Sequence, residues 1–125
     1  FPVNICHGDL TLCNILIKNK EKHIFLIDFL DSFLESPIVD MVKVRQDTKY
    51  KWCINMFIEK DKINDKVEKL LEYCDLKFHN HFQKYNFYSE TYKYFQIINL
   101  LRVLQYSKDK KISDSLTKNI FDCFN

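Results

Sequence analysis

The scarcity of chain breakers is the feature of this sequence that most restricts its fold. Among 125 residues there are one glycine and two prolines, so the tight turns that need these residues must be few. Architectures built only of strands need many such turns, whereas long helices need few. Because 46% of the residues are hydrophobic, including eleven Phe and seven Tyr, the chain can bury a substantial core. The sequence therefore predicts one mainly α-helical domain that spans residues 1–125.

Two short runs near the start of the chain are the exception to this helical character. Residues 14–18 (NILIK) and 23–29 (HIFLIDF) are rich in β-branched and aromatic side chains, and the polar tetrapeptide NKEK separates them. Such a pair of runs predicts a β-hairpin. The predicted fold class is therefore mainly α with a small β-hairpin, an α+β arrangement.

Four or five packed helices are expected after the hairpin. Ser36 and Pro37 are the residue types of an N-cap and of the first helical position. The helical pattern continues to about Ile58, with a break near residues 46–48, and the polar stretch 58–65 predicts a hinge.

Three further helices complete the prediction. Spacings of three and four residues define one apolar face from Ile63 to Tyr85. Residues 92–106 are apolar on nearly every side, which is typical of a central helix. A last helix is expected to bury Ile112, Leu116, Ile120, Phe121 and Phe124.

Charge and cysteine content narrow the class of partner. The formal net charge is +2, with 19 basic and 17 acidic side chains interspersed, which favours neither a nucleic-acid surface nor an acidic tail. No run approaches the roughly 20 apolar residues of a membrane span, so no membrane insertion is expected. Five cysteines without a C-x-x-C motif indicate reduced thiols and a cytoplasmic location. His79 and His81 point in different directions on a helix and predict no zinc site.

Three polar side chains stand where the first loop meets the predicted hairpin. Asp9 precedes the first strand, Asn14 lies where the loop enters it, and Asp28 closes the second strand. Because a hairpin brings the start of one strand beside the end of the next, Asn14 and Asp28 should share one rim, with Asp9 above them. An amide oxygen and a carboxylate suit Mg²⁺, which leaves other positions to water and substrate phosphates. A separate carboxylate can deprotonate an attacking hydroxyl, so the set suits phosphoryl transfer.

The motif His7-Gly8-Asp9-x-x-x-x-Asn14, with Ile27-Asp28-Phe29 and Pro37-x-x-Asp40, resembles the aminoglycoside phosphotransferase and choline kinase superfamily. That superfamily has the protein-kinase-like fold, and the resemblance is to its C-terminal catalytic lobe. It implies that Asp9 is the catalytic base, that Asn14 and Asp28 bind Mg²⁺, and that ATP is the phosphoryl donor. It also implies that His7 and Asp40 brace the catalytic loop, with Asp40 accepting hydrogen bonds from the loop backbone.

The resemblance covers residues 7–40 and has departures. Family members more often have His-Pro-Gly where this chain has Thr11-Leu12-Cys13, and Leu30 replaces the glycine that protein kinases carry after Asp-Phe. Asp31 either assists the metal or the substrate, or is a solvated loop acid. Residues 41–125 agree only in helical character and are expected to bind the acceptor.

The nucleotide-binding lobe of that family has no counterpart in this sequence. Gly8 is the only glycine, so a glycine-rich phosphate loop is missing, as is an upstream strand with a lysine. We expect the chain alone to hold ATP poorly and to be inactive. The rim around Phe1, Val3, Ile5 and the hairpin should then expose apolar surface and promote self-association.

Two functions follow as expectations. The first is an ATP-dependent kinase of a small-molecule hydroxyl, with a sugar, choline-like or aminoglycoside-type acceptor; the L-T-L-C-N and I-D-F-L-D variants look like members associated with bacterial surface polysaccharide synthesis. The second is a non-catalytic helical interaction domain derived from a kinase-like fold. Acids and aromatics that could suit a cationic or sugar acceptor are Trp52, Glu59, Asp61, Glu72, Tyr73 and Asp75.

Overall fold

The structure, a computed structural model, describes residues 2–18, 20, 22–57 and 64–124. In this part of the chain a short 3-10 turn at Leu12–Asn14 leads into one hairpin, which five α-helices follow. The expected mainly helical architecture with a small hairpin is confirmed. The strands are β1 (Ile15–Lys18) and β2 (His23–Leu26), and the helices are α1 (Pro37–Thr48), α2 (Trp52–Phe57), α3 (Asp65–Phe82), α4 (Asn86–Leu104) and α5 (Lys110–Asp122). No helix among the described residues is long and apolar enough to cross a bilayer.

The hairpin is shorter than its sequence pattern predicts. Its strands pair antiparallel from Ile15 opposite Leu26 to Lys18 opposite His23. The prediction that Asp28 closes the second strand is wrong, because β2 ends at Leu26; one further backbone hydrogen bond, from Ile27 N to Asn14 O, precedes Asp28. Asp28 has a φ of 57°, in the left-handed region, so the backbone there leaves the extended conformation that a ladder needs.

Helix α1 lies at the centre of the fold and packs against α2, α3 and α4. It begins as predicted: the buried Ser36 hydroxyl accepts a hydrogen bond from Ile38 N at 3.4 Å, and Pro37 occupies the first turn. The Ser36 hydroxyl also donates to Pro2 O at 2.6 Å, which ties the start of the chain to the helix. The break in the helix lies after Thr48, later than expected, and Lys51 within it has a φ of 56°.

Two buried clusters form the core. The larger joins α2, α4 and α5 and consists of Trp52, Ile97, Leu100, Val103, Leu116 and Ile120. The smaller joins α1 to the first turn of α4 and consists of Ile38, Val39, Met41 and Tyr88. Helix α4 contributes to both clusters, but Ile98 and Leu101 on it are about half exposed, so it is less enclosed than predicted.

The outer helices are less buried than predicted. Leu71 alone is fully buried on the predicted face of α3, and Leu70 on that face is 59% exposed. Phe121 on α5 and Phe124 just beyond its end are exposed, although both were expected in the core. The reason is that α3 packs mainly on α1 and α5 mainly on α4, so each has one principal neighbour. Most of the predicted hinge, residues 58–63, lies outside the described residues.

A buried arginine joins α1, α3 and α4. Arg45 binds both carboxylate oxygens of Asp75 at 2.8 Å, and its Nη1 lies 3.0 Å from both His79 Nδ1 and Tyr88 Oη. Its guanidinium lies 4.8 Å from the centre of the Tyr92 ring. Burial, with a smaller contribution from the Arg45 charge, lowers the pKa of His79. This network fixes α3 to the rest of the protein through polar contacts where apolar contacts are few.

Candidate active site

The loop before β1 is held by a carboxylate from α1. Asp40 accepts hydrogen bonds from His7 N at 2.7 Å and from Gly8 N at 2.9 Å, one on each oxygen. These are the bonds expected between this side chain and the loop backbone. Because Asp40 lies in the first turn of α1, the position of the loop is set by the start of that helix.

The only glycine of the chain lies where this loop crosses the segment after β2. Gly8 has a φ of 82°, and a Cβ atom added to it would lie 2.0 Å from the carbonyl oxygen of Leu30. Leu30 N in turn donates a hydrogen bond to His7 O at 3.0 Å. The two backbones therefore touch at a position that only glycine can occupy without displacement.

Asp9 and Asn14 come together at the rim of the hairpin. The buried Asn14 side chain donates from Nδ2 to Asp9 O at 2.8 Å and to Asp9 Oδ2 at 3.3 Å. The backbone oxygen of Asn14 accepts a hydrogen bond from Ile27 N at 3.1 Å. Asn14 thus lies opposite the residue before Asp28, so the backbone brings positions 9, 14 and 28 to the same end of the hairpin.

Lys43 is a residue of this site that the sequence analysis missed. Its Nζ lies 2.5 Å from Asp9 Oδ1, and its side chain is 8% exposed against 26% for Asp9. Burial lowers the pKa of Lys43, and the hydrogen bond to Asp9 opposes that shift. The signal was present in the sequence, because Asp40, Lys43 and Asp47 are three and four residues apart and share one face of α1.

Asp47 holds the far end of the same loop. Its carboxylate, 1% exposed, accepts hydrogen bonds from Leu12 N at 2.8 Å and from Cys53 N at 3.1 Å. Desolvation raises the pKa of Asp47, while these two backbone bonds favour its charged form. One face of α1 therefore supplies three polar side chains that anchor the loop at residues 7, 8, 9 and 12.

His7 occupies a supporting position. Its ring is buried, lies 4.2 Å from the Phe29 ring between centroids, and accepts a hydrogen bond from Asp9 N at Nδ1 over 3.3 Å. Its Nε2 has no partner among the described residues. These contacts fit a residue that shapes the loop rather than one that meets a substrate.

Asp28 and Asn14 have the donor chemistry of a partial magnesium site. Among the described residues Asp28 is exposed and its carboxylate is in no hydrogen bond or ion pair. The Asn14 side-chain nitrogen donates its hydrogen bonds to Asp9, which leaves the amide oxygen as the atom that could coordinate a metal ion. No group of three or more His, Cys, Asp or Glu in the described residues could hold a metal ion. A carboxylate and an amide oxygen are donors of the type that Mg²⁺ takes, usually one or two side-chain oxygens together with substrate phosphates.

Each residue of the Asp9–Lys43 pair lines a different cleft. The smaller has a volume of about 190 Å³ and is lined by residues that include Gly8, Asp31, Phe33, Lys43, Phe95 and Arg102. The larger, about 430 Å³, is lined by residues that include Asp9, Asn14, Asp47, Trp52, Cys53 and Arg102. Of these two clefts, only the larger is lined by Asp9.

Of the four described side chains that were suggested for an acceptor pocket, three line neither of these clefts. Trp52 lines the larger cleft, but Asp75 is bound by the arginine network. Glu72 forms an ion pair with a lysine at 2.8 Å, and Tyr73 is exposed on α3. Two of the suggested residues lie outside the described part of the chain: Glu59 and Asp61.

Comparisons of the chain with protein-family models, curated proteins and solved structures gave no match.

Proposed function

We propose that this chain is the catalytic lobe of a protein-kinase-like phosphotransferase, which moves the γ-phosphoryl group of ATP to the hydroxyl of a small molecule. The observation that carries the proposal is the joint placement of Asp9 and Asn14. They touch each other at the rim of the hairpin, and three polar side chains of one helix hold their loop. A fixed carboxylate beside a free amide oxygen is the arrangement that phosphoryl transfer needs, because positioning supplies much of its catalysis.

Asp9 acts as the general base in this proposal. Lys43 Nζ and Asn14 Nδ2 each bind one of its carboxylate oxygens, so its orientation is fixed, while 26% of the side chain stays accessible. An acceptor hydroxyl in the larger cleft would pass its proton to this carboxylate as its oxygen attacks phosphorus. Lys43 positions the base and limits the charge that accumulates beside it.

Asn14 Oδ1 and the Asp28 carboxylate would hold Mg²⁺. When bound, that ion would neutralise charge on the ATP phosphates and fix their position. The proposal takes a sugar, a choline-like alcohol or an aminoglycoside-type compound as acceptor, a cytoplasmic location, and a nucleotide-binding lobe that this sequence does not include.

A metal titration tests the binding half of the proposal on this chain. Mn²⁺ binding, measured by water-proton relaxation with and without ATP, should weaken by at least about tenfold in Asp28→Asn, because a ligand loses its charge. The matched control is Asp114→Asn, the same change at an exposed position of α5, and it should bind Mn²⁺ like the wild type. Equal affinity in all three proteins would contradict the site.

A turnover assay on the full-length protein tests the catalytic half. Phosphoryl transfer from ATP to a panel of sugars, choline and aminoglycosides should fall by about 10²-fold or more in Asp9→Asn. The apparent KM for ATP should change much less, since Asp9 is not a nucleotide ligand in this proposal. Transfer that is indifferent to Asp9→Asn would refute its role as base.

The second candidate function is a non-catalytic interaction domain, which the surface of the hairpin favours. Both faces of the hairpin expose apolar side chains, with Ile17 64% and Ile24 66% exposed directly opposite each other. A surface of this kind marks a contact site when it is contiguous. If Asp28→Asn changed neither metal binding nor turnover, the interaction domain would be favoured over the phosphotransferase.

A further inference from the structure

Two thiols that are distant in sequence meet beside the candidate site. Cys13 Sγ and Cys53 Sγ are 2.7 Å apart and 40 residues apart in the chain, and both are free cysteines. A disulfide bond has a sulfur–sulfur length of about 2.05 Å, so closure needs only a small movement. Cys13 is exposed and can be reached by a reagent, whereas Cys53 is partly buried.

A side chain outside the pair determines this proximity. The buried Asp47 carboxylate binds Leu12 N on one oxygen and Cys53 N on the other, so one carboxylate holds the backbone next to both thiols. The two thiols are therefore close because α1 packs against both the loop and α2 and holds them in place.

We propose that Cys13 and Cys53 form a reversible intramolecular disulfide under oxidation by a low-molecular-weight disulfide such as oxidised glutathione. The Cys13 thiolate attacks one glutathione sulfur, which forms a mixed disulfide and releases one glutathione thiolate. Cys53 then loses its proton and attacks Cys13 Sγ, which forms the protein disulfide and expels the second glutathione. The two thiols lose two electrons and two protons, and oxidised glutathione is reduced to two molecules of glutathione.

The environments of the two sulfurs set the order of these steps. Burial, with a contribution from the hydrogen bond to Cys13, raises the pKa of Cys53 to about 12. The buried thiol is therefore the poorer first nucleophile, and the exposed Cys13 reacts first. Cys53 reacts second because Cys13 Sγ is already next to it.

The link would act on the turn that carries Asn14. Cys13 precedes Asn14 within the 3-10 turn, and Cys53 is the second residue of α2. A covalent bond between them fixes this turn to α2 in the wall of the larger cleft, which both cysteines line. The disulfide is thus a redox-sensitive crosslink in that wall, and its existence does not depend on the kinase proposal.

The other cysteines supply the internal control. Among the described residues Cys6 Sγ donates to a backbone oxygen, Cys123 Sγ lies near a tyrosine hydroxyl, and Cys74 is exposed on α3. None of these three is paired with another thiol there, so oxidation should select one pair.

Thiol counting and peptide mapping test the proposal. After treatment with oxidised glutathione, free thiols titrated in denaturant should fall from five to three, and digestion should yield a linked Cys13–Cys53 peptide. Cys13→Ser and Cys53→Ser should each abolish the linked peptide, whereas the matched control Cys74→Ser should retain it. A stable glutathione adduct on Cys13 with no linked peptide, or disulfide-linked dimers through Cys74 in its place, would overturn the proposal.

A melting experiment measures whether the link fixes the turn. The oxidised wild type should melt on the order of 5–15 °C higher than the reduced protein, because a closed loop of this length restricts the unfolded chain. Dithiothreitol should reverse the shift, and Cys53→Ser should not show it. A linked protein that melts at the same temperature as the reduced one would refute the stabilising role of the link.

Discussion

Replacement of Gly8 by alanine is the sharpest test of how the loop is built. The residue has a φ of 82°, which side chains rarely adopt, and its missing Cβ would lie 2.0 Å from Leu30 O. Ordinary contact between such atoms begins at about 3.4 Å, so the two backbones would have to separate by roughly 1.4 Å. That movement would break the hydrogen bond from Leu30 N to His7 O, which is now 3.0 Å long.

The expected cost follows from these contributions. A left-handed conformation costs a residue with a Cβ about 1–2 kcal/mol. Loss of one backbone hydrogen bond costs about 1 kcal/mol, and up to about 3 kcal/mol if the groups stay buried and unpaired. The lower entropy of the unfolded alanine chain offsets about 0.4–1 kcal/mol. Gly8→Ala should therefore lower the free energy of unfolding by about 1–5 kcal/mol.

Urea denaturation can measure this change through the fluorescence of Trp52, the only tryptophan of the chain and a buried one. The matched control is Lys22→Gly, which places glycine at an exposed residue with a φ of 53°. Relief of backbone strain there should balance the entropic cost of glycine, so stability should stay within about 1 kcal/mol of the wild type. A Gly8→Ala protein within about 0.5 kcal/mol of the wild type would refute the close contact with Leu30.

Three further predictions concern charge and surface. In a double-mutant cycle, Lys43→Met and Asp9→Asn should show a coupling energy of about 1.5–3 kcal/mol in urea denaturation, and a coupling near zero would show that the pair is not formed. Folding lowers the pKa of His79 from its ordinary value of 6.5, so near and below that pH the unfolded chain binds more protons than the folded one. Stability should therefore fall as the pH falls from about 7.5 to about 5.5. His79→Gln should lose less stability over that range, and equal losses would contradict the shift. Ile17→Lys should reduce self-association in sedimentation at high concentration, and a wild type that stays monomeric would count against an apolar docking face.

Local signals predicted the parts of the fold that depend on neighbouring residues. The cap formed by Ser36 and Pro37 and the two strands of the hairpin were visible because each depends on a few adjacent side chains. The end of β2 was not visible, since nothing local requires Asp28 to adopt a positive φ. The burial of α3 and α5 was overestimated, because periodicity shows which face of a helix is apolar but not how many neighbours cover it.

The residues of the candidate site likewise fall into those that the sequence identified and those that it missed. Asp9, Asn14 and Asp40 were found because their spacing resembles a known motif. Lys43 and Asp47 were missed because their importance arises only when α1 packs under the loop. Polar residues spaced three and four apart on an otherwise buried helix indicate that a polar loop packs against that face, and this pattern can be recognised from the sequence alone.

The spacing of two carboxylates on α1, those of Asp40 and Asp47, sets the length of the loop. Asp40 and Asp47 are seven residues apart, which is a rise of about 10.5 Å along a helix axis. The loop must present amide groups at both ends of that interval, at Gly8 and at Leu12. Its length is therefore fixed by the pitch of a helix more than 30 positions further along the chain. Insertion of a single residue between Gly8 and Leu12 should destabilise the folded protein, whereas one inserted in the connection between β1 and β2 should be tolerated.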